Sequence, residues 1–382
     1  MRIVVKVGSS SITTPDGALD DAALSGLVGQ LVDVGSRDVR PILVSSGAIA
    51  AGVGALGLHS RPTEMADLQA LAAVGQGRLM AHYSRLLGQH GAVAAQVLLT
   101  GHDFGDRQAY LNARATLGKL LDWGVVPVVN ENDTVATDEI RFGENDRLAA
   151  LVAALVGASL LLVLTDTPGV FTGDPRLNAE ASLIEEVASV DAELEAAAGL
   201  AAATGFGSGG MASKVAAAKI ASWSGIPCVI AGANEPGVVD RAVKGEPVGT
   251  LIRPRVRRLA ARKVWIAFAI AHRGKIVIDD GAAMAVTARG RSLLPVGVKA
   301  VEGSFEAGDA IEVLDLSGAL VAKGLSAHSA ETLRAVAGLR TLDLPDGVPD
   351  EAIHRDDMVV LAEPGGSAAT GTPNERAARS DG

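Results

Sequence analysis

Residues 148–166, LAALVAALVGASLLLVLTD, carry the reading on which the fold turns. Leu148 to Leu164 is the longest apolar candidate in the chain, but Gly157 and Ser159 interrupt it. A membrane-spanning helix needs about 20 predominantly apolar residues in succession. The run parses better as helix, turn and strand. Leu160–Leu164 is apolar at every position, as in a strand buried on both faces, and it stops at the polar pair Thr165-Asp166.

The same alternation extends outward through residues 1–252. Ile3–Val7, Val39–Val44, Val93–Leu99, Val125–Val129 and Pro227–Ile230 read as strands. Helical stretches separate them: Asp20–Val34, Glu64–Leu87, Ala109–Leu121, Asn145–Leu155 and Met211–Trp223. In the first, Leu24, Leu27, Val28, Leu31 and Val32 form an apolar side. Doubly apolar strands separated by helices predict an α/β domain around a mostly parallel sheet covered on both sides. Ligands of such sheets lie beyond the carboxyl ends of the strands. Small polar clusters fall there: Gly8-Ser9-Ser10, Ser45-Ser46-Gly47-Ala48, Asn130-Glu131-Asn132-Asp133 and Thr165-Asp166.

From about residue 253 the texture changes. A basic run, Arg253-Pro254-Arg255-Val256-Arg257-Arg258 with Arg262 and Lys263 behind it, reads as a linker over 253–261. Short alternating strands follow, at Lys275–Ile278, Gly297–Val301, Ala310–Leu314 and Leu320–Gly324, with turns at Asp279-Asp280-Gly281 and Ser317-Gly318. They predict a small, mainly β domain over 262–345. The tail, 364–382, is rich in Gly, Ala, Ser, Thr and charge and reads as disordered.

At 382 residues the chain has room for two domains, and with 48% hydrophobic residues it can bury a large core. A net charge of −10 argues against bulk coating of nucleic acid, though not against a local patch. The one cysteine, Cys228, excludes an intrachain disulfide and sits in an apolar run as a small core residue. MRIVVKVGSS reads as a strand and not a secretory leader, so a cytoplasmic protein is expected.

Lys6, inside an apolar strand, needs its ammonium satisfied. It reads either as a snorkelling edge lysine or as a cation beside the N–H groups freed at Gly8, where phosphate oxygens would fit. The cluster is not a Walker loop, since no GxxxxGK[ST] occurs. Ser45 to Ala48 reads as an anion-binding helix start or a plain cap. Asn130 to Asp133, with Asn145-Asp146-Arg147, holds more amides and carboxylates than packing explains. Such groups suit an amino acid, with Asp taking its ammonium, and Asp146 suits a lysine partner. Thr165-Asp166, with Pro168-Gly169 after it, reads as a nucleotide shelf or an inert loop. Gly205 to Lys214, GFGSGGMASK, is a glycine-rich lead into a helix with Lys214 in its first turn, a position that an anion would make favourable. Two lysines with acids and few histidines suit phosphoryl transfer to a carboxylate, which is already ionised and needs no general base. ATP would bring Mg²⁺, without a cage of protein carboxylates.

These segments together resemble the bacterial glutamate 5-kinases, members of the amino acid kinase family with a C-terminal PUA domain. The carrying motifs are VVKVGSS (4–10), ILVSSGAIAAG (42–52), QVLLT (96–100), VPVVNENDTV (126–135), FGENDRLAALVA (142–153), LVLTDTPGVF (162–171) and GSGGMASK (207–214). The resemblance implies a three-layer sandwich with a PUA-like second domain. It implies that Lys6, Asp146 and Lys214 are catalytic and that Ser46, Asp133 and Asn145 bind glutamate. Lys6, Gly8, Thr165 and Asp166, with Ser208, Gly209, Gly210, Met211, Ala212, Ser213 and Lys214, would line ATP. Serines stand at 208 and 213 where family members often carry threonine, and the hydroxyl is kept. The implied reaction turns L-glutamate into L-glutamyl 5-phosphate, the first step of proline biosynthesis. Proline feedback, a homo-oligomer and coupling to glutamyl phosphate reductase are further implications. Two rivals stand beside this reading: a related kinase for another carboxylate or phosphate, and an RNA-binding protein using the β domain and the Arg253–Lys263 run.

Overall fold

The computed structural model describes all residues except 15–16, 136–143, 174, 176–177, 179, 203–209, 257 and 363–382. The chain divides into two compact units, Met1–Ile270 and Ala271–Gly382.

In the first unit the strands are β1 (Arg2–Val7), β2 (Arg40–Ser45), β3 (Ala94–Leu99), β4 (Val126–Glu131), β5 (Leu160–Thr165), β6 (Glu186–Val187), β7 (Cys228–Gly232) and β8 (Thr250–Ile252). The helices are α1 (Asp21–Gly35), α2 (Ala48–Leu56), α3 (Met65–Gln89), α4 (Gly101–Gly105), α5 (Arg107–Asp122), α6 (Glu144–Val156), α7 (Ala192–Ala202), α8 (Met211–Trp223), α9 (Val238–Lys244) and α10 (Ala261–Val264). The sheet runs β3-β4-β2-β1-β5-β7-β8-β6. Its described pairings are parallel except β7 with β8.

Strand alternation sorts the core into two layers. Ile3, Val5 and Val7 of β1 pack with Leu24 and Leu31 of α1, Leu79 and Tyr83 of α3 and Val239 of α9. Val4 faces the other way, toward Leu117 of α5, Leu151 of α6 and Ala217 of α8. Lys6 shares the parity of Val4, so its side chain leaves the sheet toward α6 and α8. This parity, more than any local motif, decides which groups the lysine meets.

Helices α2 and α3 meet backbone to backbone. A Cβ at residue 75 would stand 1.7 Å from the Ala48 carbonyl oxygen, and one at residue 52 would stand 2.1 Å from that of Leu71. Only glycine fits either place.

The expected linker and domain start require correction. Arg253 pairs with Glu186 at 2.5 Å, and Arg255 lies over the Trp223 ring at 4.1 Å. After α10 a single π-helical stretch, Trp265–Ala269, follows. Val264 and Ala269 are buried in the first core, with Trp265 and Phe268 packed against it. The Arg147 guanidinium donates to the carbonyl oxygens of Phe268 and Ala269. Residues 262–270 thus belong to the first unit, because their apolar side chains complete its core.

In the second unit β9 (Gly274–Ile278), β10 (Val298–Gly303), β11 (Ala310–Leu314), β12 (Leu320–Leu325) and β13 (Met358–Val360) form a sheet of order β10-β9-β11-β12-β13. Helices α11 (Asp280–Thr287) and α12 (Ala330–Val336) accompany it. Ile276, Ile311, Val313, Leu333 and Ile353 lie in its separate core. Asp279-Asp280-Gly281, expected as a turn, instead opens α11: the Asp279 side chain accepts from the Ala282 N–H as a helix cap. The sheet also extends past residue 345, since β13 pairs with β12. The expected disordered tail, 364–382, lies outside the described residues.

Candidate active site

Lys6 is 4% exposed at the centre of the sheet, between Val44 and Val163. A lone ammonium there would carry a desolvation penalty of several kcal/mol. It is met by Asp146 Oδ1 at 2.6 Å. Asp146 stands in the first turn of α6, where the helix dipole favours a carboxylate. Its other oxygen accepts from the Ser213 hydroxyl at 2.6 Å and lies 3.7 Å from Lys214 Nζ. Burial pushes the Asp146 pKa upward, but Lys6 and Lys214 outweigh it and hold the carboxylate below its ordinary value. Burial lowers the Lys214 ammonium from its ordinary value, with Lys6 adding to the drop against the pull of Asp146 and Asp166. Two buried ammonium groups are thus held on one carboxylate, Asp146, with the charge of Asp166 also acting on Lys214.

The expected nucleotide residues are arranged around this cluster. A Cβ at residue 8 would stand 3.5 Å from Lys6 Nζ, so Gly8 leaves the approach to the ammonium open. Thr165, buried at the end of β5, donates its hydroxyl to Asp166 Oδ1 at 3.0 Å. Gly210 is the N-cap residue of α8, and Met211, Ala212, Ser213 and Lys214 form its first turn. Ser208 and Gly209 lie outside the described residues.

A second cluster adjoins the first through the neighbours Asn145 and Asp146. The Asn145 amide donates to Ser46 Oγ at 3.1 Å and to Asn130 Oδ1 at 3.0 Å. Asn130 in turn donates to Gln76 Oε1 at 2.8 Å. Residues 46, 130 and 145 meet because β2, β4 and the start of α6 converge at the carboxyl edge of the sheet. Asp133 follows β4 in a turn, partly buried. Burial raises its pKa to about 6, with the Arg61 charge opposing the rise. Arg61 sits between α2 and α3 and is itself lowered by desolvation, against the Asp133 charge.

Gln76 and Arg61 are site residues that sequence reasoning missed. The available signal for Gln76 was its place between two glycines, Gly75 and Gly77, inside the longest helix. Arg61 lies in a stretch of polar loop with no distinguishing pattern. Ser213, expected at the nucleotide, donates its hydroxyl to Asp146 Oδ2.

Among the described residues no three His, Cys, Asp or Glu side chains converge as a cation cage. Nor is any helix there long and apolar enough to cross a membrane.

Known proteins resemble this chain in sequence along nearly its whole length. Residues 1–232 match the model of the amino acid kinase family, and residues 274–348 match that of the PUA domain. Glutamate 5-kinase of Caldanaerobacter subterraneus subsp. tengcongensis is 45% identical over 365 residues, covering 94% of this chain and 98% of that protein. Glutamate 5-kinase of Moorella thermoacetica is 44% identical over 364 residues, covering 94% and 96%. Glutamate 5-kinase of Pseudomonas paraeruginosa is 48% identical over 366 residues, covering 94% and 98%.

Proposed function

The chain belongs to the amino acid kinase family, and on that premise we propose that it transfers the γ-phosphoryl group of ATP to the side-chain carboxylate of L-glutamate. The products are ADP and L-glutamyl 5-phosphate, and the step opens proline biosynthesis. The reading rests above all on the buried Lys6–Asp146–Lys214 cluster beside an amide and carboxylate pocket. Relatives named glutamate 5-kinase, at 44–48% identity over 94% of the chain, supply the substrate.

In the reaction one γ-carboxylate oxygen forms a bond to the γ-phosphorus while the bond to the ADP oxygen breaks. Charge spreads over the three equatorial oxygens, and catalysis is positioning plus electrostatic stabilisation. Lys6 and Lys214 supply the positive charge, and Asp146 fixes both ammonium groups in place. No proton needs removing, because the acceptor is already ionised. Ser46, Asn145 and Asp133 hold glutamate, with Asp133 opposite its ammonium. Gly8, Thr165, Asp166 and the first turn of α8 line the nucleotide, and Ser208 and Gly209 are assigned to its phosphates. Mg²⁺ fits as a companion of those phosphates, where it supplies charge neutralisation, since Asp146 is engaged by two lysines.

The same likeness carries finer proposals: feedback inhibition by L-proline, a cytoplasmic homo-oligomer, and hand-over of the labile acyl phosphate to glutamyl phosphate reductase. RNA binding draws no support from the basic run, where Arg253 is paired and Arg255 is stacked. ADP release with and without L-glutamate tests the reaction, with N-acetyl-L-glutamate and L-aspartate as competitors. Strong dependence on L-glutamate is expected, and preference for either competitor would overturn the assignment.

A further inference from the structure

We propose that Gln76 is a further substrate-binding residue, one that donates its amide N–H to the α-carboxylate of L-glutamate; this rests on the glutamate kinase reading above. Amide orientations are normally ambiguous, but here a donor that cannot flip sets the polarity of the whole relay. The backbone N–H of Glu131 donates to Asn130 Oδ1 at 2.9 Å. The Asn130 oxygen is thereby fixed, so its Nδ2 faces Gln76, which accepts through Oε1 at 2.8 Å. Asn130 Oδ1 also accepts from Asn145 Nδ2 at 3.0 Å, and that nitrogen spends its other hydrogen on Ser46 Oγ at 3.1 Å.

Among the described residues, two buried amide atoms on these side chains have no hydrogen-bond partner: Asn145 Oδ1, which accepts, and Gln76 Nε2, which donates. Native folds seldom leave such atoms unmet unless something else fills the place. An acceptor and a donor of fixed polarity match an ammonium and a carboxylate, the two groups on the α-carbon of an amino acid. The choice between the two carboxylates of glutamate follows from order along the relay. Asn145 adjoins Asp146, on which Lys6 closes, so the reacting γ-carboxylate belongs at that end. Gln76 lies two amides further on, at the α end. The contact of Gly75 with the Ala48 carbonyl holds this turn of α3 against the start of α2, so Gln76 is presented from rigid backbone.

Gln76→Glu keeps an oxygen for Asn130 and replaces the donor by an acceptor. The full-length chain is assayed for ADP release with L-glutamate and with isoglutamine, the α-amide that retains the γ-carboxylate. Loss of a hydrogen bond to a charged group, with like-charge repulsion added, should raise the KM for L-glutamate by about 10–100-fold. The KM for ATP and the thermal midpoint should stay in place. Preference should shift toward isoglutamine, whose amide N–H can donate to the new carboxylate. An unchanged ratio of the two substrates overturns the proposal, and so does an equal loss for both, which marks a merely structural residue. Should Gln76→Glu fail to fold, Gln76→Leu provides the reading: a raised KM for L-glutamate with unchanged KM for ATP supports the contact, and an unchanged KM for L-glutamate overturns it. Wild-type chain without glutamate-dependent turnover is recognised before any variant is made, and overturns the underlying reading together with this one.

Discussion

At one end of the site Lys6, Asp146 and Lys214 are buried and closed on one another; at the other, Asp133 is held in its protonatable range and two amide atoms lack a partner. Both ends bury polar groups, but they settle the resulting penalty differently. The lysine end is compensated internally, by Asp146 between the two ammonium groups, which suits the proposed task of meeting charge in a transition state. The amide end leaves groups that a ligand would have to satisfy. An ammonium would pair with the Asp133 carboxylate and satisfy Asn145, and a carboxylate would satisfy Gln76. A site for growing charge is built rigid and complete, whereas a site for a ready-made zwitterion is built incomplete.

The contrast breaks most visibly if the closed end is opened. Asp146→Asn removes the carboxylate on which both buried ammonium groups close, and removing one member of a buried pair costs about 3–5 kcal/mol. Denaturant unfolding should show that loss, and kcat should fall further than in any other variant described here. Unaltered stability would mean that the lysines find another partner. Lys214→Ala comes next, because it removes one charge and leaves Lys6 paired with Asp146. By analogy with the loss of a single transition-state donor, kcat should drop about 10²–10³-fold in a folded chain. Near-normal turnover would remove Lys214 from the chemistry.

Asp133→Asn sharpens the comparison from the other side. The KM for L-glutamate should rise about 10–100-fold with ATP binding unchanged, as expected for one lost bond between charged groups. Stability should move the opposite way. Burial raises the folded pKa of Asp133 from 3.8 to about 6, so the fold disfavours its charged form. The wild-type chain therefore loses stability as pH rises through that value, and Asp133→Asn escapes the loss. The variant should unfold at a higher temperature at pH 8, with the gap closing toward pH 4. A lower midpoint for the variant at pH 8 would refute a ligand-dependent Asp133. In the wild-type chain the KM for L-glutamate should rise as pH falls through about 6.

The smallest effect is expected from removing the second unit. A chain ending after Ile270 should keep glutamate-dependent ADP release, because every residue assigned to the site precedes it. Ending near residue 256 is a different experiment. It strips Val264 and Ala269 from the first core and takes away the carbonyls that Arg147 binds, so thermal unfolding should show a destabilised chain. A folded chain ending after Ile270 that lacks activity would give the second unit a part in catalysis.

Much of the fold was legible because periodicity is local. Leu160–Leu164 could be read as a buried strand from its own residues, and Lys6 stood out because an apolar strand does not tolerate an unpaired ammonium. Asn130 and Asn145 were conspicuous as excess polarity where strand β4 ends and α6 begins. Gln76 was not, since its flanking glycines do not say what the amide meets, and that is decided by the neighbouring β4. Trp265 and Phe268 showed the same limit in the core: apolar residues announce that they will be buried, not against which unit. Asp279 misled for a chemical reason, because the side chain that initiates a turn also caps a helix.

The position of β1 has a consequence in time. It is the first strand of this chain, yet it lies between β2 and β5, with Ile3 opposite Leu160. During synthesis the apolar residues Ile3, Val4, Val5 and Val7 must wait for most of the first unit before both their neighbours exist. Contacts of such long sequence separation form slowly and leave hydrophobic surface open meanwhile. Lys6, to which the proposed reaction assigns a charge, is thus made long before it can find its place, since Lys214 follows it by the greater part of the first unit. The interval before β5 emerges is when a nascent chain most needs protection from its neighbours.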